Sequence, residues 1–193
     1  MESDVLPCYV VCDVSSSMTD HLEELNAGIR QFRGALHADR AIGTWVHCCV
    51  VGFAEAPLVL QPLRPADELA ELTGSAPSAG SNFGPAFTFL RSVIDRDVRR
   101  LKGNRLRVQR PMVFFTSDGQ PTDPVTWPAA YGGLTDPAWQ ARPDVIAFGV
   151  GDADRATLGR IGTYRTFLGR DGVRLGTALT VSVTWAPMRP DVV

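Results

Sequence analysis

The run Val10-Val11-Cys12-Asp13-Val14-Ser15-Ser16-Ser17-Met18 sets one carboxylate and two alternating hydroxyls, Ser15 and Ser17, in a single turn at the end of an apolar stretch. Hard oxygen donors of this kind suit Mg²⁺, which wants octahedral geometry and keeps part of its water; Mn²⁺ and Ca²⁺ accept similar ligands. Taken alone, the triplet reads more readily as the start of a helix, because serine and aspartate cap helix N-termini. Two further segments carry the same chemistry. Phe114-Phe115-Thr116-Ser117-Asp118-Gly119 ends a second apolar run with a carboxylate followed by glycine, and Ala79-Gly80-Ser81-Asn82-Phe83-Gly84 offers a hydroxyl between glycines. The candidate ligands are therefore Asp13, Ser15, Ser17, Ser81 and Asp118.

Other polar residues have plainer readings. Asp123 is followed by Pro124, the pairing of a helix cap with proline at the first helical position. Asp152 and Asp154 look like turn and cap residues, and His21, His37 and His47 stand isolated. The basic stretch Arg96, Arg99, Arg100, Lys102, Arg105, Arg107, Arg110 is mostly explained by cations near a helix C-terminus, with a partner surface as the alternative. Met18 is either an apolar rim to the Asp13 loop or a residue buried under the first helix.

Elements able to hold these loops alternate along the chain. Val5 to Cys12 reads as a buried strand and Thr19 to Leu36 as a helix, with Leu22, Leu25, Ile29, Phe32 and Leu36 at helical spacing. Asp20 and Glu23 suggest a capping box at its start, with Thr19 as the alternative cap. Thr44 to Phe53 is a second strand. Leu58 to Leu60 is expected to pair back onto it, because the link between them is too short for a crossover helix. A brief helix is expected over Ala66 to Leu72, then a small polar loop, Thr73 to Gly80. A helix over Gly84 to Leu101 and a strand over Val108 to Thr116 come next. A helix should open at Asp123-Pro124, a strand should run from Val145 to Val150, and a short helix should open at Asp154. Tyr164 to Leu168 reads as an edge strand. Val173 to Trp185 mixes leucines at helical spacing with β-branched residues, and a helix is favoured. Such alternation implies one α/β domain over 1–193, a doubly wound and mostly parallel sheet with one short antiparallel edge strand.

Bulk properties narrow the field. The hydrophobic share of 45% and charged share of 21% are globular values. A net charge of -2 gives no electrostatic reason to expect nucleic acid or an anionic membrane as partner. The acidic Met1-Glu2-Ser3-Asp4 start is unlike a signal peptide, so the expected address is the cytoplasm. Cys8, Cys12, Cys48 and Cys49 form no C-x-x-C pair and read as buried free thiols.

The D-x-S-x-S loop, the glycine-flanked hydroxyl and the strand-ending Asp118 together resemble the von Willebrand factor type A (vWA) family and its MIDAS metal site. Leu25-Asn26-Ala27-Gly28-Ile29 and Phe148-Gly149-Val150-Gly151 also fit. The resemblance implies that Ser15 and Ser17 ligate directly, while Asp13 and Asp118 act mostly through water. Ser81 stands where the family usually has threonine; it keeps the hydroxyl and loses the β-branch that stiffens it. It further implies a protein partner whose Glu or Asp completes the ion's shell. Leu6-Pro7-Cys8-Tyr9-Val10-Val11-Cys12-Asp13 resembles the TerY-type bacterial proteins of tellurite-resistance, stress and defence systems, which occur beside kinase- and phosphatase-like partners. The alternatives are a vWA-fold scaffold without a functional metal and, less favoured, a Mg²⁺-dependent phosphatase. A phosphatase of the haloacid-dehalogenase type needs a second carboxylate where Ser15 stands, and a serine hydrolase needs a G-x-S-x-G turn and a histidine base that the chain lacks. The chain is not expected to be an enzyme.

Overall fold

A computed structural model describes residues 4–73, 78, 80–185 and 193; of the expected Thr73–Gly80 loop, residues 74–77 and 79 lie outside the described residues. In chain order the elements are β1 (Asp4–Asp13), α1 (Leu22–Ala38), a one-turn α2 (Arg40–Gly43), β2 (Val46–Phe53), β3 (Pro57–Pro65), α3 (Phe83–Gly103), β4 (Arg107–Val108) and β5 (Met112–Ser117). They continue with α4 (Trp127–Leu134), β6 (Asp144–Gly149), α5 (Arg155–Ile161), β7 (Arg165–Leu168) and α6 (Leu175–Trp185).

The strands form one seven-stranded sheet in the order β3-β2-β1-β5-β6-β7, with β4 beside the start of β1. Every pairing is parallel except β2 with β3. Side chains of β1 alternate between two cores: Tyr9 and Val11 belong to the one that includes Phe87 and Leu90 of α3, while Cys8, Val10 and Cys12 belong to the one shared with α1 and α6. A strand covered on both faces has no polar side to display, which is why β1 reads as one apolar run. Leu25, Ile29, Phe32 and Leu36 bury one stripe of α1. Each such side chain contributes about 1.5–3 kcal/mol, and this packing of the apolar face, more than intrinsic propensity, holds the helix. No helix among the described residues is long and apolar enough to cross a membrane.

Several boundaries differ from the sequence reading. The expected capping box is absent: a 3-10 turn over Ser16–His21 leads into α1, and no side chain caps it. Only Ala66–Glu68 turns helically after β3, because the Asn26 side chain grips Leu72 at both its N–H (2.7 Å) and its carbonyl (3.0 Å) and draws that segment out extended. The strand expected over Val108–Thr116 is broken. Val5 pairs with Val108 and Cys8 with Met112, so the second strand carries one residue too many, and Pro111 at the break has no N–H for the ladder. β3 is longer than expected, and its three prolines, Pro57, Pro62 and Pro65, suit an edge. Regular helix begins at Trp127 rather than at Asp123-Pro124.

The C-terminal segment is a helix, as favoured. Thr180 and Thr184 turn their hydroxyls back onto the carbonyls of Gly176 and Thr180, while Leu175, Ala178, Leu179 and Val183 are buried. Burial against α1 outweighs the β-branched propensity. The two helices cross closely: a Cβ on Gly28 would lie 2.8 Å from Cβ of Leu175. α3 ends in a Schellman motif, Leu106 N–H to the Leu101 carbonyl and Arg105 N–H to that of Lys102, with Arg105 at φ 59° where glycine is usual.

Candidate metal centre

Parallel register sets Cys12 opposite Thr116, so the next residues along, Asp13 and Ser117, end neighbouring strands side by side. Asp13 is 0% exposed. Its Oδ1 accepts the Ser15 N–H at 3.0 Å, and its Oδ2 accepts the hydroxyls of Ser81 at 2.5 Å and Ser117 at 2.8 Å. Ser117 Oγ also lies 3.4 Å from Asp118 Oδ1 and accepts the Gly119 N–H at 3.0 Å. That bond bends the chain sharply at Gly119, whose φ is +77° and whose α-carbon backs onto Asp154, leaving little room for a side chain. Ser15 and Ser17 stand with their hydroxyl oxygens 3.1 Å apart. Ser15 and Ser81 are buried, Asp118 is half-buried and Ser17 is exposed. All five candidate residues thus belong to one hydrogen-bonded network, and Ser117 is the link the sequence reading lacked.

The Ser81 loop is braced from two directions. Asn82 donates its N–H to Ala54 at 2.8 Å and its side-chain amide to Glu55 at 3.1 Å. On the other side Thr122 donates its N–H to the Ser81 carbonyl at 2.9 Å and accepts the Ser81 N–H on its hydroxyl at 3.1 Å. Asp123 is a cap, as its type suggested, but for another helix: its carboxylate accepts the N–H groups of Phe83 (2.8 Å) and Gly84 (2.7 Å) at the start of α3. Asp154 caps its own helix, accepting from Ala156 and Thr157. The Thr157 hydroxyl, and then these backbone bonds, hold its carboxyl below the usual value. Below the site lies an aromatic floor. Phe83 and Phe115 stand 4.9 Å apart edge to face, and Phe53, opposite Asp13 in β2, stacks on Phe115 at 5.2 Å. Such rings fix the strand ends and exclude water beneath them. Met18 is buried and lines a small cavity of about 40 Å³ with Asp13, Leu22 and Leu25.

Charge decides what the site can hold. Among the described residues no Lys, Arg or His forms an ion pair with Asp13 or Asp118. A carboxylate taken out of water without a counter-charge is costly, and neutral donors offset only part of that cost. Asp13 keeps Ser81's hydroxyl hydrogen turned toward itself, which leaves the oxygen lone pairs of Ser81 for another partner. The described residues contain no group of three or more His, Cys, Asp or Glu set for a metal; the donors here are mainly hydroxyls. An all-oxygen set with uncompensated negative charge fits a hard divalent cation.

The basic stretch lies at the other end of the sheet, since Arg107 of β4 pairs with Asp4 at the start of β1. Much of it is engaged: Arg96 with Asp97 (3.0 Å), Arg99 with Asp95 (3.6 Å) and Arg107 with Asp4 (3.7 Å). All four cysteines are free and buried, as expected.

Neither a protein family nor a curated protein sequence matches the chain. Solved structures do. Proximal thread matrix protein 1 of the mussel byssus superposes with a TM-score of 0.60 at 15% identity, over 96% of this chain and 48% of that one. The pilus adhesin SpaC of Lactobacillus rhamnosus GG gives 0.65 at 13% identity, over 95% of this chain and 30% of that one. An aerotolerance-related membrane protein of Bacteroides fragilis gives 0.64 at 13%, over 94% and 98%. The fold is that of a vWA domain. This vWA-fold chain spans about half of the mussel protein and under a third of the adhesin. A further structure of the mussel protein, with a TM-score of 0.55, has zinc in its MIDAS motif.

Proposed function

We propose that this chain is a metal-dependent protein-interaction module. Asp13, Ser15, Ser17, Ser81 and Asp118 hold a divalent cation, Mg²⁺ first and Mn²⁺ or Ca²⁺ as substitutes, and the ion receives an Asp or Glu side chain of a partner protein. The observation that carries this reading is the buried Asp13 carboxylate, held by Ser15, Ser81 and Ser117 beside Asp118, with no cationic side chain paired to it among the described residues. A bound ion supplies the missing positive charge. With mostly neutral direct ligands it stays under-compensated and attracts an anionic oxygen from outside. The zinc-filled MIDAS of the mussel protein, a chain of like fold, supports the same reading.

The same proposal makes this a binding site: Ser15 stands where a haloacid-dehalogenase-type phosphatase would need its general acid. The finer assignment belongs to the same proposal: a single vWA domain of the TerY type, cytoplasmic, working in a tellurite-resistance, stress or defence system with kinase- or phosphatase-like partners. It is supported by the sequence from Leu6 to Asp13 and by Leu25-Asn26-Ala27-Gly28-Ile29.

Calorimetric titration of the dialysed chain with Mg²⁺ and Mn²⁺ tests the core of the proposal. Saturable binding that disappears in Asp13→Ala and in the Ser15→Ala, Ser17→Ala double variant is expected. Metal at 100 times its Kd should add about 2.7 kcal/mol to unfolding stability. Absence of binding at millimolar metal would leave the vWA fold as a scaffold, and phosphatase turnover lost in Asp13→Asn would make the site catalytic.

A further inference from the structure

Two large hydrophobic side chains are exposed among the described residues, Val125 at 88% and Leu58 at 49%. Both belong to the site's end of the sheet. Leu58 pairs with Gly52, next to Phe53, which stands opposite Asp13. Val125 sits on the turn in which Thr126 N–H returns to the Asp123 carbonyl, the turn whose Asp123 and Thr122 brace the Ser81 loop. A lone exposed valine is ordinary. Its surroundings are not, because from Gly119 to Thr135 the only acidic or basic residue is Asp123, and the α3 N–H groups take up its carboxylate. With Pro124 and Thr126 also exposed, the turn at Val125 presents uncharged, partly apolar side chains; the cations against this segment, Arg160 over the Trp127 ring and Arg91 on the Gly133 carbonyl, lie along α4.

The opposite rim is acidic. Asp20 and Asp152 are exposed, and so is Asp154, although its carboxylate is engaged in capping α5. His21 lies against Gly151, 2.9 Å from where a Cβ would stand, which joins the Ser16–His21 turn to the loop after β6. Asp154 N–H donates to the Asp118 carbonyl at 2.8 Å, which places that loop beside the candidate ligand. Nearby Arg155 is turned to Asp171 at 2.9 Å, and His21 to Glu24 at 3.5 Å. The candidate centre therefore lies between an apolar turn at Val125 on the α3–α4 side and an acidic rim on the β6 side, with the exposed Glu55 beside the Ser81 loop between Val125 and Leu58.

Resting on the metal-centred reading above, we infer that this face selects a protein segment with three features across one surface. An Asp or Glu meets the ion, an apolar side chain covers Val125, and a Lys or Arg faces Asp20 and Asp152. Charge complementarity dictates the last feature: an acidic segment without a flanking cation would be repelled by that rim, while a basic one is steered in.

Random peptides displayed on phage, panned on the full chain in Mg²⁺ and eluted with EDTA, test this directly. Enriched sequences should combine an acidic residue with an apolar neighbour on one side and a basic one on the other. Val125→Asp should weaken their binding about tenfold or more while calorimetric Mg²⁺ affinity stays unchanged. In Asp152→Lys, the selected flanking residue should switch from basic to neutral or acidic. Metal-dependent peptides that bind Val125→Asp like the wild type, or that keep the same flanks in Asp152→Lys, overturn the docking surface and leave the metal centre standing. Failure to enrich any EDTA-eluted peptide on a chain that binds Mg²⁺ counts against the docking surface in the same way. Peptides that stay bound through the EDTA step and are recovered only by acid, with none released by EDTA, or a chain that takes up no Mg²⁺, overturn the metal-centred reading itself.

Discussion

Ser117 is the residue on which the site's two carboxylates meet. Its hydroxyl has one hydrogen, and both Asp13 Oδ2 at 2.8 Å and Asp118 Oδ1 at 3.4 Å compete for it, while its oxygen satisfies the Gly119 N–H. In Ser117→Ala that buried N–H loses its partner, a change worth about 1–3 kcal/mol of stability. Asp13 is then positioned by Ser81 and Ser15 alone. Groups that orient metal ligands without touching the ion typically cost about 10–100-fold in affinity when removed, and a loss in that range is expected. Calorimetry with Mg²⁺ beside thermal melting of the metal-free chain checks both effects. Unchanged affinity in a folded Ser117→Ala variant would reduce Ser117 to a turn residue.

Between elements, Asp123 does what a cap usually does within one helix. A carboxylate brought from the loop after β5 closes the N-terminus of α3, the 21-residue helix that carries the face of Phe87 and Leu90. Both the hydrogen bonds and the favourable charge at the positive end of the helix are lost in Asp123→Ala, at about 1–2 kcal/mol. The same change frees the turn that brackets Ser81. Melting temperature should fall and Mg²⁺ affinity should weaken together, a pairing that calorimetry beside thermal melting checks. Equal metal affinity in Asp123→Ala and wild type would show that the Asn82 contacts hold the Ser81 loop by themselves.

At the scale of the whole molecule, the central strands are sealed on both faces. Cys8, Cys12, Cys48 and Cys49 are all buried in them. Burial pushes the Cys12 thiol up to about 11 and the Cys49 thiol up to about 12, so the reactive thiolate is scarce at neutral pH. In native protein these thiols should resist an aromatic disulfide reagent at pH 8 and react only at the rate of global opening, and saturating metal should slow that reaction further. Burst labelling of any one of them would mean that a sheet face opens locally. His47 contributes a pH dependence of defined sign. Burial lowers its pKa in the folded chain, so its neutral form is favoured there. Stability from this group is full above the unfolded value of about 6.5 and declines as pH falls below it toward the lower folded value.

What the sequence determined alone follows from local chemistry. Apolar runs ending in Asp13 and Asp118 announce buried parallel strands with polar carboxyl ends, and helical spacing between them announces the wound α/β layout. Candidate ligands were legible because carboxylates and paired hydroxyls sat where such strands stop. Tertiary structure decided the rest, since each remaining choice depends on a partner distant in sequence. Ser117 becomes a neighbour of Asp13 only through the parallel register of β1 with β5. Asp123 pairs with N–H groups some 40 residues earlier. The 66–72 segment is extended because Asn26 holds Leu72 from 46 residues away. The last segment is helical because α1 offers it a small-residue crossing at Gly28. Short-range propensity is worth tenths of a kcal/mol per residue, about 0–0.7 for ordinary residues in a helix, and it yields wherever burial or a buried hydrogen bond asks for something else.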